Sequence, residues 1–327
     1  MIIYSILRLT PEKIIEEFRD NKIGKASALQ SLISFIENSN DEEIRLKSLN
    51  LLDLFDLKGK HFFQILENLV VSDENAIIRD FALKIIEKNF LEKSFEVLRW
   101  CVIHERDDQC IITVIKILEK IKSENSKLIL YNKIRRIIKK KYLNKERKIE
   151  NKKFKKTLKK LLREKKYDKF THSEFAEILV NHITISSLTT KYNNVFYELD
   201  QQSGLISKLD LSNYIGYEVK GTPWRWQNSI KNLSDIPGLK YLYSLQQLDL
   251  SNNQITDIKE ITHLQNLTHL ILTNNNLSDE KNLFYLKSLP NLLFLDLRGN
   301  SLINEINLND FRPQTRVLLR DTYLEII

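Results

Sequence analysis

The chain reads as two repeat architectures in tandem, an all-helical N-terminal part and a C-terminal α/β coil of short parallel strands, joined by a basic helical bridge. Three observations predict this. Residues 245–302 carry one leucine-spaced line written three times. Residues 41–118 carry a looser helical line that also recurs. Between the two lies a stretch whose charge is unlike anything on either side.

Residues 1–130 form the first part, and from residue 12 onward they read as helical throughout. Gly24, Gly59 and clusters of Asn, Asp and Ser punctuate runs whose apolar spacing is near 3.6. DEEIRLKSLNLL (Asp41–Leu52) is echoed by AIIRDFALKII (Ala76–Ile86), with Ile44-Arg45 over Ile78-Arg79 and Ser48-Leu49 over Ala82-Leu83. CIITVIKIL (Cys110–Leu118) continues the series with Val114 over Ala82, at offsets of 34 and then 32 residues, but without the Arg. FFQILENLV and SFEVLRWCVI supply the helices between. Small side chains at Ser48 and Ala82 let helices approach closely. Over residues 12–122 this pattern resembles HEAT repeats, which implies paired antiparallel helices stacked as an α-solenoid, with Ser48, Ala82 and Val114 facing between them.

The bridge, residues 131–169, changes character. Residues 133–169 hold 19 Lys or Arg against 4 Asp or Glu, a local charge of +15 in a chain whose total is +8. Ile134, Ile137 and Ile138 form one apolar stripe, and Phe154, Leu158, Leu161 and Leu162 another, so the stretch is helical. Lys152, Lys153, Lys155, Lys156, Lys159 and Lys160 are the candidate polyanion ligands. They fit the phosphate backbone of a nucleic acid, an anionic membrane surface, or an acidic protein surface including the chain's own; the plainer reading is a solvated helix face in a Lys-rich chain. Tyr131, Tyr142, Phe154 and Tyr167 are scattered and mostly on the apolar stripes, not interleaved for base stacking.

Residues 170–194 read as a helical adaptor that caps the following repeats. Thr171-His-Ser-Glu174 has the spacing of a capping box and opens the helix FAEILVNH.

In the C-terminal part, residues 195–327, VFYEL and LISKLDL flank DQQSG, a β-hairpin whose second arm is the first repeat strand. The line itself is LQQLDLSNNQI, LTHLILTNNNL, LLFLDLRGNSL. Leu245, Leu248, Leu250 and Asn253 recur as Leu267, Leu270, Leu272 and Asn275, then as Leu292, Leu295, Leu297 and Asn300. A weaker copy, Ile206-x-x-Leu209-x-Leu211, has Tyr214 at the Asn position and is followed by an insertion, residues 215–231. The first full repeat is 22 residues long and the next 25, with three extra residues in its return. One such unit cannot bury its own leucines, whereas stacked units share a continuous core and a parallel sheet. The pattern L-x-x-L-x-L-x-x-N resembles that of leucine-rich repeat proteins, and over residues 205–302 the 22-residue class found in the regulatory subunit of type-1 protein phosphatase. The resemblance implies a non-enzymatic, intracellular protein-interaction module with no catalytic residue to carry over.

Register names the concave wall of such a sheet. The positions flanking the inward leucines are Lys208, Asp210 and Ser212; Gln247, Asp249 and Ser251; His269, Ile271 and Thr273; Phe294, Asp296 and Arg298. Ile271 and Phe294 are apolar where a solvated wall would be polar, which points to contact with a partner. Trp224, Arg225 and Trp226 in the insertion are residue types enriched at binding hot spots; they either grip a partner from the rim or tuck against the repeats.

Chemistry is sparse. Seven glycines stand far apart and form no phosphate-cradling loop, and neither HExxH nor G-x-S-x-G occurs. Cys101, His104 and Cys110 are the one cluster of metal-ligand types, at a spacing that fits no standard zinc site, so both cysteines read as helix core. No enzyme activity, cofactor or metal is expected. The two cysteines give no disulfide framework. Arg8 and Pro11 interrupt the first apolar residues too early for a signal peptide, and no charge-free apolar run nears the roughly 18 residues of a membrane span. The expectation is a cytoplasmic adaptor or scaffold that binds a protein on the leucine-rich concave face, the alternative being a nucleic-acid- or membrane-surface-binding protein that uses residues 133–169.

Overall fold

The computed structural model describes residues 10–55, 57, 59–139, 145–192, 195–213, 229–302, 306–307, 309 and 311–319, with backbone alone for 145–151. The chain divides into two compact units, Met1–Ile129 and Leu130–Ile327.

The first unit is helical: α1 (Pro11–Arg19), α2 (Lys25–Asn38), α3 (Glu42–Leu52), α4 (Lys60–Ser72), α5 (Ala76–Asn89), α6 (Phe95–His104) and α7 (Asp108–Ile121), with α8 (Glu124–Lys139) leading out of it. Helices pair as α2 with α3, α4 with α5 and α6 with α7; α3, α5 and α7 then touch in series, as do α4 and α6. The recurring sequence line falls on α3, α5 and α7. Each opens on an acidic or amide N-cap, Asp41, Asn75 and Asp107, whose side chain accepts from the first-turn backbone N–H groups. Ser48, Ala82 and Val114 are each fully buried. Ser48 meets the polar requirement of burial by donating to the Ile44 carbonyl at 2.8 Å.

The repeated Arg has a repeated job. Arg45 donates from Nε to the Ile36 carbonyl at 2.7 Å and forms an ion pair with Asp73, the residue that ends α4. Arg79 forms a two-pronged pair with Glu105, the residue that ends α6, at 2.9 Å on each prong, and also donates to the Asp73 carbonyl. Each guanidinium therefore ties one helix of a pair to the end of the next helix along. Position 111, where the third copy has Ile, makes no such tie.

The second unit begins with α9 (Lys145–Glu164) and α10 (His172–Lys191). The capping box closes in both directions: Thr171 N–H donates to Glu174 Oε2 at 2.8 Å, and Glu174 N–H to Thr171 Oγ1 at 3.1 Å. Six strands follow in one sheet, in the order β1 (Phe196–Leu199), β2 (Ile206–Asp210), β3 (Gln247–Asp249), β4 (His269–Ile271), β5 (Phe294–Asp296) and β6 (Arg316–Leu318). β1 and β2 form the antiparallel hairpin, and every later pairing is parallel. The returns are 3₁₀ turns at Leu233–Asp235, Leu239–Tyr241 and Lys259–His263; in the longer repeat a true helix, α11 (Lys281–Lys287), takes up the extra residues.

Leu209, Leu248, Leu270 and Leu295 lie side by side across the sheet, none more than 1% exposed. The Asn of each line explains why that letter keeps register. Asn275 is buried, accepts from Ile255 N–H at 3.0 Å and donates to the carbonyls of Leu250 (2.9 Å) and Leu272 (3.0 Å). Asn253 and Asn300 make the same set, so each amide joins its own turn to the one before it. The preceding residue must be left-handed: Asn252, Asn274 and Gly299 have φ of 59°, 54° and 72°. Glycine in the third slot avoids a clash, because a Cβ there would lie 2.1 Å from Asn274 Oδ1 unless that side chain moved.

Exposed leucines at the first strand would leave the core open, and α9 and α10 close it. Asn181 on α10 accepts from Ile206 N–H at 2.8 Å, and Thr184 donates to the Pro237 carbonyl at 2.8 Å. Phe154 on α9 meets His182 edge-on at 5.2 Å. The β1–β2 turn rests on α9, where a Cβ added to Gly204 would touch Leu161 at 3.5 Å.

Candidate functional site

Strand register turns the outward face of the sheet into a grid. One row runs Glu198, Lys208, Gln247, His269, Phe294, Arg316; the next runs Phe196, Asp210, Asp249, Ile271, Asp296, Leu318. A groove of about 750 Å³ lies over the β1–β5 side of this grid, with Lys208, Asp210, Gln247, Asp249, His269, Ile271 and Phe294 all in its lining.

Its chemistry is mixed. Phe196 is 62% exposed at one side. At the other, His269 stacks on Phe294 with ring centroids 5.9 Å apart, beside Ile271. Asp210 and Asp249 stand between them as direct register partners. Each first serves its own strand end: Asp210 accepts from Ser212 N–H at 2.9 Å and Asp249 from Ser251 N–H at 2.9 Å. Burial, and then the neighbouring Asp210 and Asp296 carboxylates, hold the Asp249 carboxyl above its ordinary range despite the Ser251 bonds. Asp296 goes the other way. It is 3% exposed, and although burial opposes its charge, the Arg298 guanidinium at 2.7 Å brings it below the ordinary range. Asp296 and Arg298 therefore hold each other and present little to the groove. Lys208 pairs with Glu198 at 3.4 Å.

Two parts of the face were missing from the sequence-derived wall. β1 contributes Phe196, Tyr197 and Glu198; the hairpin was legible, but Phe196 reaches Asp210 only through a register shift between Glu198 and Leu199, which simple pairing through DQQSG does not give. β6 contributes Arg316. Its signal was Val317 and Leu319 standing 22 residues after Leu295 and Leu297, with Gln314 in the first leucine slot and no Asn to close the line. Trp224, Arg225 and Trp226, and Tyr214 before them, lie outside the described residues.

The basic candidates sit elsewhere, on α9. Phe154, Thr157, Leu158 and Leu161 are buried, which turns Lys152, Lys153, Lys156, Lys159, Lys160 and Arg163 to solvent, with Lys155 half-buried. Lys153 donates to the Tyr197 carbonyl at 3.2 Å, and Lys160 reaches Glu164 at 3.9 Å. Lys152, Lys156, Lys159 and Arg163 follow one line along the helix, and among the described residues none of the four forms an ion pair. The described aromatics of the bridge are engaged in packing: Tyr131 meets Tyr167 at 5.1 Å and Phe175 at 5.6 Å, and Phe154 meets His182, while Tyr142 lies outside the described residues.

Both cysteines are fully buried on α6 and α7. Burial, reinforced by Glu105, pushes the Cys101 thiol up to about 12; burial and Asp107 push the Cys110 thiol up as well. No group of three or more His, Cys, Asp or Glu placed to hold a metal occurs among the described residues, and no helix there is long and apolar enough to cross a membrane.

The parallel register, the buried leucine columns and the Asn bonds are those of a leucine-rich repeat. The family model described as Leucine rich repeat matches residues 226–277, the stretch that includes β3 and β4. No curated protein matches the chain.

Proposed function

We propose that the protein is a non-enzymatic, cytoplasmic adaptor whose C-terminal repeats, of the 22-residue class, bind a partner protein in the groove over β1–β5, while a HEAT-like N-terminal α-solenoid serves as its second interaction element. The observation that carries this reading is the groove itself. Leucine-rich repeats commonly mediate protein–protein contacts, and this one lines its groove with exposed Phe196 and with half-buried Ile271 and the His269–Phe294 stack, where a purely structural sheet face would be polar. Aromatic and aliphatic anchors of this kind carry most of the energy at protein interfaces.

Ile271→Arg tests it by filling the groove with a charge at an outward position, leaving the leucine columns alone. The proteins crosslinked to the wild-type chain in its native lysate should be lost from this variant, with the melting temperature nearly unchanged. Phe294→Ala should lower affinity for any such partner by about tenfold or more, roughly the effect of a modest hot spot. An unchanged crosslinked set in both variants refutes the reading.

The line Lys152–Lys156–Lys159–Arg163 supports a second reading, polyanion binding on α9. Like charges at helical neighbours disfavour the helix by about 0.2–0.5 kcal/mol per pair, and here nothing described offsets them.

A further inference from the structure

Resting on the groove as the binding site, we propose that its occupant is an extended protein segment crossing the strands, with a Lys or Arg at its centre and an apolar side chain two residues away on each side. The row that faces it is apolar, acidic, acidic, apolar: Phe196, Asp210, Asp249, Ile271.

Charge supports the centre of this motif. Asp210 and Asp249 are direct register partners on adjacent parallel strands, so two carboxylates stand one strand spacing apart. The nearby cations have other partners, Lys208 with Glu198 and Arg298 with Asp296. Among the described residues neither Asp210 nor Asp249 forms an ion pair, and both hydrogen bond to serines of their own strand ends. A cation entering between them relieves a repulsion that the free protein carries. An anion would add to it, so the groove discriminates by charge as well as attracting.

Spacing supports the flanks. Strands lie about 4.8 Å apart, which puts Phe196 and Ile271 about 14 Å from one another and each about 7 Å from the midpoint of the two aspartates. An extended chain advances about 3.3 Å per residue and turns every second side chain to the same face, a repeat of about 7 Å. Three residues of the five-residue core, the first, third and fifth, therefore meet the features in turn: apolar on Phe196, cation between the aspartates, apolar on Ile271 beside the His269–Phe294 stack. A helix would not match, since its same-face neighbours are about 5–6 Å apart and lie on a curved surface.

The test uses the full chain and three fluorescein-labelled peptides with the core Leu-Ser-X-Ser-Phe in Gly-Ser flanks, X being Arg, Glu or Leu, titrated by fluorescence anisotropy. The Arg peptide should bind at least about tenfold more tightly than the Glu peptide, a usual size for a paired against a repelled charge. Asp210→Asn/Asp249→Asn should abolish that preference without lowering the melting temperature, because an Asn Oδ1 still accepts the Ser212 and Ser251 bonds. Equal affinity for Arg and Glu peptides, a preference that survives the double Asn variant, or no binding by any peptide overturns the inference. Peptide binding that appears only after Trp224, Arg225 and Trp226 are changed to Ser also overturns it, since the chain's own insertion is then the occupant. Ile271→Arg separates the two levels. If it weakens all three peptides alike and none is preferred, the groove reading stands and only the motif fails; if it weakens none, the groove reading fails too.

Discussion

Asn275→Ala should destabilise the C-terminal unit by about 2–4 kcal/mol, and Asn275→Asp, closer in shape, should cost more. The structure sets both the magnitude and the order. Asn275 is 5% exposed and makes four contacts: it accepts from Ile255 N–H, and it donates to the carbonyls of Leu250, Leu272 and, at 3.5 Å, Thr273. Truncation to Ala does not orphan both main carbonyls, because the column shares them. Leu250 O keeps the Asn253 amide at 3.0 Å, and Leu272 O keeps the Asn300 amide at 2.9 Å. What is orphaned is Ile255 N–H, at about 1–3 kcal/mol for a buried donor, plus about 1 kcal/mol for the net bonds lost.

Asp keeps the acceptor for Ile255 but replaces the donating amide by a carboxylate oxygen pointed at two carbonyls. That adds a buried charge beside like dipoles, which costs more than a missing bond. Urea unfolding followed by circular dichroism gives the order of stability, and hydrogen exchange at the Ile255 amide gives the local effect. Ile255 protection should collapse in the Ala variant and persist relative to its neighbours in the Asp variant. If Asp proves milder than Ala, the donating half of the amide is not what holds the column, and the account of the Asn position is wrong.

Three further outcomes follow from other parts of the molecule. Glu105 is held below its ordinary range: burial opposes its charge, but Arg79 and the backbone N–H groups of Asp107 and Arg106 outweigh it. A lowered folded value means stability that is full above the unfolded value near 4.5 and is lost as pH falls through the lower folded value. Arg79→Ala should cost about 2–4 kcal/mol at neutral pH and flatten that acid limb, checked by thermal melts from pH 3 to 7. On α9, changing Lys152, Lys156, Lys159 and Arg163 to Ser should leave the fold intact; any RNA binding by the wild-type chain should weaken with salt, and the slope should fall by about 0.7–0.9 for each phosphate contact removed. Finally, Cys101 and Cys110 should resist iodoacetamide at pH 8 in the native protein and react only on unfolding, as expected of fully buried thiols with raised values.

The leucine columns were legible because sequence period and structural role coincide. Every Leu slot in the line is an inward position, and the Asn that follows is buried with its whole hydrogen-bonding capacity used, so neither tolerates drift. The α3–α5–α7 recurrence was fainter for a physical reason. Helix packing constrains size, as at Ser48, Ala82 and Val114, more than it constrains identity. Arg45 and Arg79 were visible as repeated letters, but their partners Asp73 and Glu105 were not, since the two acids differ in kind and in spacing. The solvent face of α9 followed only once Phe154, Leu158 and Leu161 were seen to be buried; a charge count states how many cations there are, not which share a line. β1's share of the groove needed pairing, a non-local fact, and β6 lacks the closing Asn that marks the other lines.

Outward positions behave differently from inward ones, and Asp249 and Asp296 show where the difference arises. Both sit in the same LDL frame, on strands with the same register, one row of the grid. Their carboxylates nevertheless shift in opposite directions. The cause lies two residues further on, at a position the leucine core does not constrain: Ser251 gives Asp249 a neutral hydroxyl and a backbone N–H, whereas Arg298 gives Asp296 a full counter-charge. That position differs between the repeats, Ser212, Ser251, Thr273 and Arg298, so a single letter decides whether an aspartate is paired with a cation or stands in the groove without one. Ser212 repeats the choice made at Ser251, so the two adjacent aspartates that lack a cation are a consequence of the sequence outside the repeat signature.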